Sequence, residues 1–102
     1  MKTTLETSPT GFRYISVQER VDWGGAPSIV EDILSRLGAS DVMTVANDDA
    51  VSVDTKWWNF TFDGKQFRVI YEEYPRSLSI EPMEKLDSAI LADISRLLLV
   101  EK

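Results

Sequence analysis

The sequence predicts an α+β fold, an antiparallel-rich sheet of four to six strands with two helices packed on one face. Three observations predict it. Apolar and polar residues alternate on both sides of an Asp63-Gly64 pair in "NFTFDGKQFRVIYEEY", the pattern of a β-hairpin. Two other segments, "SIVEDILSRLG" and the stretch after Pro82, repeat apolar residues at helical spacing. The strand-like runs follow one another rather than alternating regularly with helices, which favours antiparallel pairing over a βαβ arrangement.

The elements follow in order. "SPTG" (Ser8 to Gly11) has turn chemistry, Pro second and Gly fourth, between "KTTLET" and "FRYISV", so an N-terminal hairpin is expected. "DWGGAP" (Asp22 to Pro27) is a loop. In "SIVEDILSRLG" Ser28 and Glu31 have capping-box spacing and Gly38 is the stop. At about 100° per residue, Ile29, Val30, Ile33, Leu34 and Leu37 share an arc of about 140°, the width of a buried helical face. "DVMTVAN" reads as a strand, "NDDA" as a turn and "VSV" as the start of the next strand. With Asp63-Gly64 as the loop, Phe62 faces Lys65, Phe60 faces Phe67 and Trp58 faces Val69. One side then carries Trp58, Phe60, Phe62, Phe67, Val69 and Tyr71, the other Asn59, Thr61, Gln66 and Arg68. "SLSIE" is the last strand, and Pro82 is placed as the first residue of a terminal helix. The stripe of that helix is Met83, Leu86, Ile90, Leu91, Ile94, Leu97 and Leu98; Leu99 lies opposite, so either the helix ends there or Leu99 is exposed.

Two neighbouring tryptophans cannot enter one core from one strand, because successive side chains point to opposite faces. Trp58 belongs to the aromatic core row. The apolar residues before Lys56 are odd-numbered (Val51, Val53) and those after it even-numbered (Trp58, Phe60, Phe62), which predicts a β-bulge near Asp54 to Lys56. Trp57 then falls on the polar face beside Ile70, with Arg68, Glu72 and Asn59 around them. Two readings follow: the N-terminal strand or the "DWGGAP" loop covers Trp57, or Trp57 anchors a partner, as tryptophans do at interface centres.

Composition narrows the function. A chain of 102 residues with 43% apolar residues makes one domain over residues 1–102, able to bury about two-thirds of its unfolded surface. Seventeen acidic and eleven basic residues give a formal charge of −6, with the cations scattered singly. Nucleic acid and anionic membrane surfaces need clustered cations, so neither is an expected partner; a basic protein is. No cysteine or histidine is present, which removes disulfides, thiolate zinc sites and the neutral-pH proton shuttle. No apolar run resembles a signal peptide or a membrane span, and the cytosol is the expected compartment.

The remaining patterns have plain explanations. Glu72 and Glu73 are strand neighbours that point apart, so they form no catalytic dyad. "NDDA" lacks the ligand spacing of a calcium loop, Gly24-Gly25 that of a phosphate loop, and "NFT" lies mid-hairpin in a chain without a secretion signal. Glu84, Asp87 and Asp93 read as a solvated face of the last helix; the alternative joins them with Glu81 and Glu72-Glu73 in an acidic patch near its start. No catalytic arrangement, metal set or cofactor motif is left, and the expectation is a binding module, monomeric or homodimeric, not an enzyme. In size, charge and architecture the whole chain resembles the bacterial immunity proteins of toxin–immunity pairs. That resemblance implies a basic toxin partner, often a nuclease, bound through acidic and aromatic residues. The alternative is a structural or assembly subunit that pairs with itself through a sheet edge, Trp57 or Leu99.

Overall fold

The structure is a computed structural model describing residues 1–45, 55–73, 76–84 and 88–99. Its elements are β1 (Thr3–Thr7), β2 (Arg13–Val17), α1 (Ala26–Leu37), β3 (Ser40–Val45), β4 (Thr55–Phe62), β5 (Lys65–Glu72), β6 (Ser77–Pro82) and α2 (Ser88–Leu99). The six strands form one antiparallel sheet in the order β1-β2-β6-β5-β4-β3.

The Asp63-Gly64 turn fixes the centre of this sheet. Both residues have positive φ, 52° and 72°, as a type I′ hairpin loop requires. From that turn the register runs without interruption, Phe62 opposite Lys65, Phe60 opposite Phe67 and Trp58 opposite Val69, out to Thr55 opposite Glu72. The expected N-terminal hairpin pairs Thr3 with Val17 through Thr7 with Arg13.

Both helices lie on one face. Val30, Ile33 and Leu37 of α1 and Leu91, Ile94 and Leu98 of α2 share one core with Ile15, Val17, Trp58, Phe60, Phe67, Val69, Tyr71, Leu78 and Ile80. Arg36 ties the helices together by donating from Nη1 to the Leu98 carbonyl at 3.2 Å. Thr3 Oγ1 donates to Ser95 Oγ at 3.1 Å and holds α2 to the edge strand β1.

Several boundaries differ from expectation. Ser28 and Glu31 do not cap α1. The Asp22 carboxylate accepts the Gly25 N–H at 2.6 Å and the Asp22 carbonyl the Ala26 N–H at 2.9 Å. The chain is thereby wound into helix from Ala26, and Ser28 falls inside. Gly38 terminates α1 at φ 62° as expected.

Pro82 ends β6 instead of starting the last helix. Met83 donates its N–H to the Gln66 carbonyl, so the preceding residue's missing N–H faces the β2 side. The β2–β6 ladder has already stopped at Ile80, and no hydrogen bond is lost. Met83 therefore lies just past the end of β6, exposed, and is not part of the helical stripe. Within the stripe Ile90, Leu91, Ile94 and Leu98 pack on the core, but Leu97 is 39% exposed; Leu86 lies outside the described residues. Leu99 closes the described helix and is exposed.

The expected bulge near Asp54 to Lys56 is not found at Thr55 and Lys56, which stay in register with β5. Asp54, with Val51, Val53 and the "NDDA" turn, lies outside the described residues. An irregularity sits instead on β3. Ser40 faces Thr61 while Met43 faces Asn59, so β3 carries one residue more than β4, and Asp41 takes a φ of 52° there.

Candidate functional site

With both helices on one face, cross-strand register determines what the opposite face presents, because directly paired residues point the same way. One row across the sheet reads Ser16, Ser79, Ile70 and Trp57, and the next Glu81, Arg68, Asn59 and Met43. Trp57 and Ile70 are direct cross-strand partners. The Arg68 guanidinium lies over the Trp57 ring, 4.5 Å from its centre. Its Nε donates to Asn59 Oδ1 at 2.9 Å. Four of the five residues expected at this site, Trp57, Ile70, Arg68 and Asn59, thus form one contiguous group, and the fifth, Glu72, stands at its edge between Thr55 and Ser77.

Neither proposed shield covers Trp57. The N-terminal strand β1 lies at the far edge, with β2, β6 and β5 between it and β4. The "DWGGAP" loop packs on the helical side, where Trp23 meets the buried Tyr71 edge-on at 6.1 Å. Lys56 clamps that loop by donating to the Trp23 carbonyl at 3.0 Å, its ammonium 4.1 Å from the centre of the indole. Trp57 is half-buried by its strand neighbours and by Arg68, and keeps part of its surface open.

Asp41, Met43, Thr61, Gln66 and Met83 were not among the expected site residues. Met43 and Met83 are 64% and 43% exposed, and with Asp41, Asn59, Thr61 and Gln66 they line a depression of about 280 Å³. Signals for them existed: Met43 alternates with Thr44 in a strand, and "SLSIEPM" continues the alternation of β6 through Pro82. A larger cleft of about 670 Å³ lies between the end of α1, the hairpin tip and α2. Its single arginine, Arg96, is paired with Asp93.

The electrostatics of the face lean negative. Burial pushes the Glu81 carboxyl above its ordinary range, the nearby Glu72 adds to this, and Arg68 opposes it. Arg68 is itself committed to Trp57 and Asn59. Glu73, pointing the other way from Glu72, accepts the Tyr71 hydroxyl at 2.5 Å and pairs with Arg76. Burial and that hydrogen bond push the Tyr71 phenol up to about 12. This is a core contact remote from the open face. Among the described residues no group of three or more Asp and Glu stands together in a metal-ligating arrangement. No helix among them is long and apolar enough to cross a membrane.

No curated protein and no solved structure matches the chain. Over residues 5–99, spanning every strand and helix from within β1 to the end of α2, the chain matches and belongs to the family described as "Protein of unknown function (DUF3630)".

Proposed function

We propose that the chain is a cytosolic protein-binding module that engages a basic protein through the face of its sheet opposite α1 and α2. The observation that carries this reading is the Trp57–Ile70 pair on that face, half-buried, beside exposed Met43 and bordered by Arg68, Asn59 and Glu72. An aromatic anchor with apolar neighbours inside a polar border has the make-up of an interface centre. The charge of −6 selects the partner, since it repels acidic surfaces and steers basic ones inward. Neutralising a basic toxin domain, as immunity proteins do, is the biological form that this size, charge and architecture fit. The chain acts by occupying a partner and not by catalysis.

The test is affinity capture from the native host followed by reconstitution from purified components. A stoichiometric basic partner is expected, and Trp57→Ala should weaken it by about 2 kcal/mol or more, roughly thirtyfold, in a calorimetric titration. A partner whose affinity ignores Trp57→Ala would overturn the reading. Self-association is a second reading, favoured by β3: it forms one edge of the sheet among the described residues and exposes Val42 and Met43. Sedimentation equilibrium showing a dimer that Met43→Lys dissociates would support that alternative.

A further inference from the structure

The depression beside the Trp57 group has a definite chemistry. Its walls include the Met43 and Met83 side chains, flexible thioethers that adapt to an aliphatic stem or a planar cation. Thr61, Gln66 and Asn59 contribute hydroxyl and amide groups to the lining. The Asn59 carbonyl oxygen is already taken by Arg68, whereas Thr61 and Gln66 retain acceptor oxygens. Asp41 is the one charged residue of the lining, and it has no ion-pair partner among the described residues. Glu81 stands on the same face, two positions along from Met83. Arg68, bonded to the lining residue Asn59, is turned onto the Trp57 ring. A volume of about 280 Å³ is below the ordinary range of pockets for drug-sized ligands, roughly 300–1,000 Å³, and accommodates one long side chain.

We infer that this depression seats one arginine side chain of the basic partner, its stem between Met43 and Met83 and its guanidinium on the Asp41 carboxylate and the Thr61 and Gln66 oxygens. The inference rests on the proposed function for the identity of the partner, but the seat itself can be tested without that partner. A guanidinium suits it better than an ammonium because its planar fork satisfies several acceptors at once and stacks along thioether walls.

The experiment is a titration of the full chain, ¹⁵N-labelled, with Nα-acetyl-arginine amide, and with the citrulline analogue that keeps the shape and removes the charge. Saturable shifts of the Asp41, Met43, Asn59, Thr61, Gln66 and Met83 amides are expected at millimolar concentration, the order for one side chain free of its protein, with the citrulline analogue at least about tenfold weaker. Asp41→Asn should reduce binding at least about fivefold. Because asparagine accepts the positive φ of this position, that variant keeps the fold, which its unperturbed remaining spectrum would verify. Non-saturating shifts, shifts centred elsewhere, or indifference to Asp41→Asn would overturn the seat. So would movement of the same amides on raising the protein concentration alone, which would identify a second copy as the occupant. The seat and the function fail separately. A silent arginine titration with a partner still sensitive to Trp57→Ala removes only the seat. A working seat with an insensitive partner removes the interface around Trp57.

Discussion

Truncating Trp57 and Trp58 one at a time should give sharply different costs, although the two are adjacent in the chain. Trp58 is 7% exposed and packs in the core opposite Val69. Replacing a buried tryptophan with alanine removes its transfer free energy and leaves a cavity, about 3–5 kcal/mol in all. That is a large share of the roughly 5–15 kcal/mol that holds a domain of this size folded. Trp57 loses less. Its structural contacts on the described surface are the cross-strand pair with Ile70, worth about 0.2–1 kcal/mol, and the stacked Arg68, worth about 0.5–1 kcal/mol at a partly open site. Trp57→Ala should therefore cost about 1–2 kcal/mol, at least about 2 kcal/mol less than Trp58→Ala is expected to cost at mid-range. Urea unfolding followed by far-ultraviolet circular dichroism measures both without depending on tryptophan fluorescence, and the denaturant slope should stay constant. A Trp57/Arg68 double-mutant cycle should return a coupling of about 0.5–1 kcal/mol. Equal costs for the two tryptophans would mean that Trp57 is as buried as Trp58, and the open face would no longer exist as described.

Other perturbations test the frame around the site. Gly64→Ala places a Cβ at φ 72° with no atom near enough to clash, so it should cost about 1–2 kcal/mol from backbone strain alone, read as a shifted urea midpoint. No change would contradict the type I′ turn. Glu81→Gln should raise the melting temperature near pH 7. The folded-state pKa of Glu81 lies above its unfolded value, so its contribution favours the fold at low pH and is lost as pH rises through the folded pKa. The gain should vanish at about pH 3, where both states hold the proton; a gain that persists there would exclude this cause. Ending the chain after Pro82 removes Leu91, Ile94 and Leu98, each fully buried and worth about 1.5–3 kcal/mol, and should abolish the cooperative thermal transition seen by calorimetry. A truncated chain that still melts sharply would place the core elsewhere.

What was legible in the sequence was what neighbouring residues decide among themselves. Asp63-Gly64 admits positive φ at both positions, so the turn forms locally and its register propagates outward one pair at a time. Trp57 beside Ile70 and Asn59 beside Arg68 follow from that propagation, which is why the amino-acid order alone places most of the candidate group. The helix start was not legible in the same way, because Asp22, three residues before Gly25, winds the chain into the helix through the Gly25 and Ala26 N–H groups, and no side chain caps it. Pro82 misled for a related reason. A proline, having no N–H to donate, is equally suited to a helix start and to a strand end where the neighbouring ladder has stopped, and only the extent of β2 pairing separates the two.

The depression beside Trp57 depends on a still less local event. Were β3 to continue from Ser40 opposite Thr61 without an extra residue, Val42 would face Asn59 and Met43 would face Trp58, sending the methionine to the core side. The one-residue bulge at Asp41 and Val42 reverses that assignment beyond it. Met43 comes to the open face beside Asn59, and Asp41, at positive φ, lines the same depression. Asp and Asn are among the few side chains other than glycine that accept this conformation, so one residue both permits the bulge and supplies the charge beside it. The apolar phase of "DVMTV" alone cannot reveal such a shift, because inward and outward positions exchange when a single residue is left unpaired. One irregularity of an edge strand thereby brings an exposed methionine, and a carboxylate with no ion-pair partner among the described residues, to the depression beside Asn59, and the proposed recognition by this face rests on that irregularity as much as on Trp57.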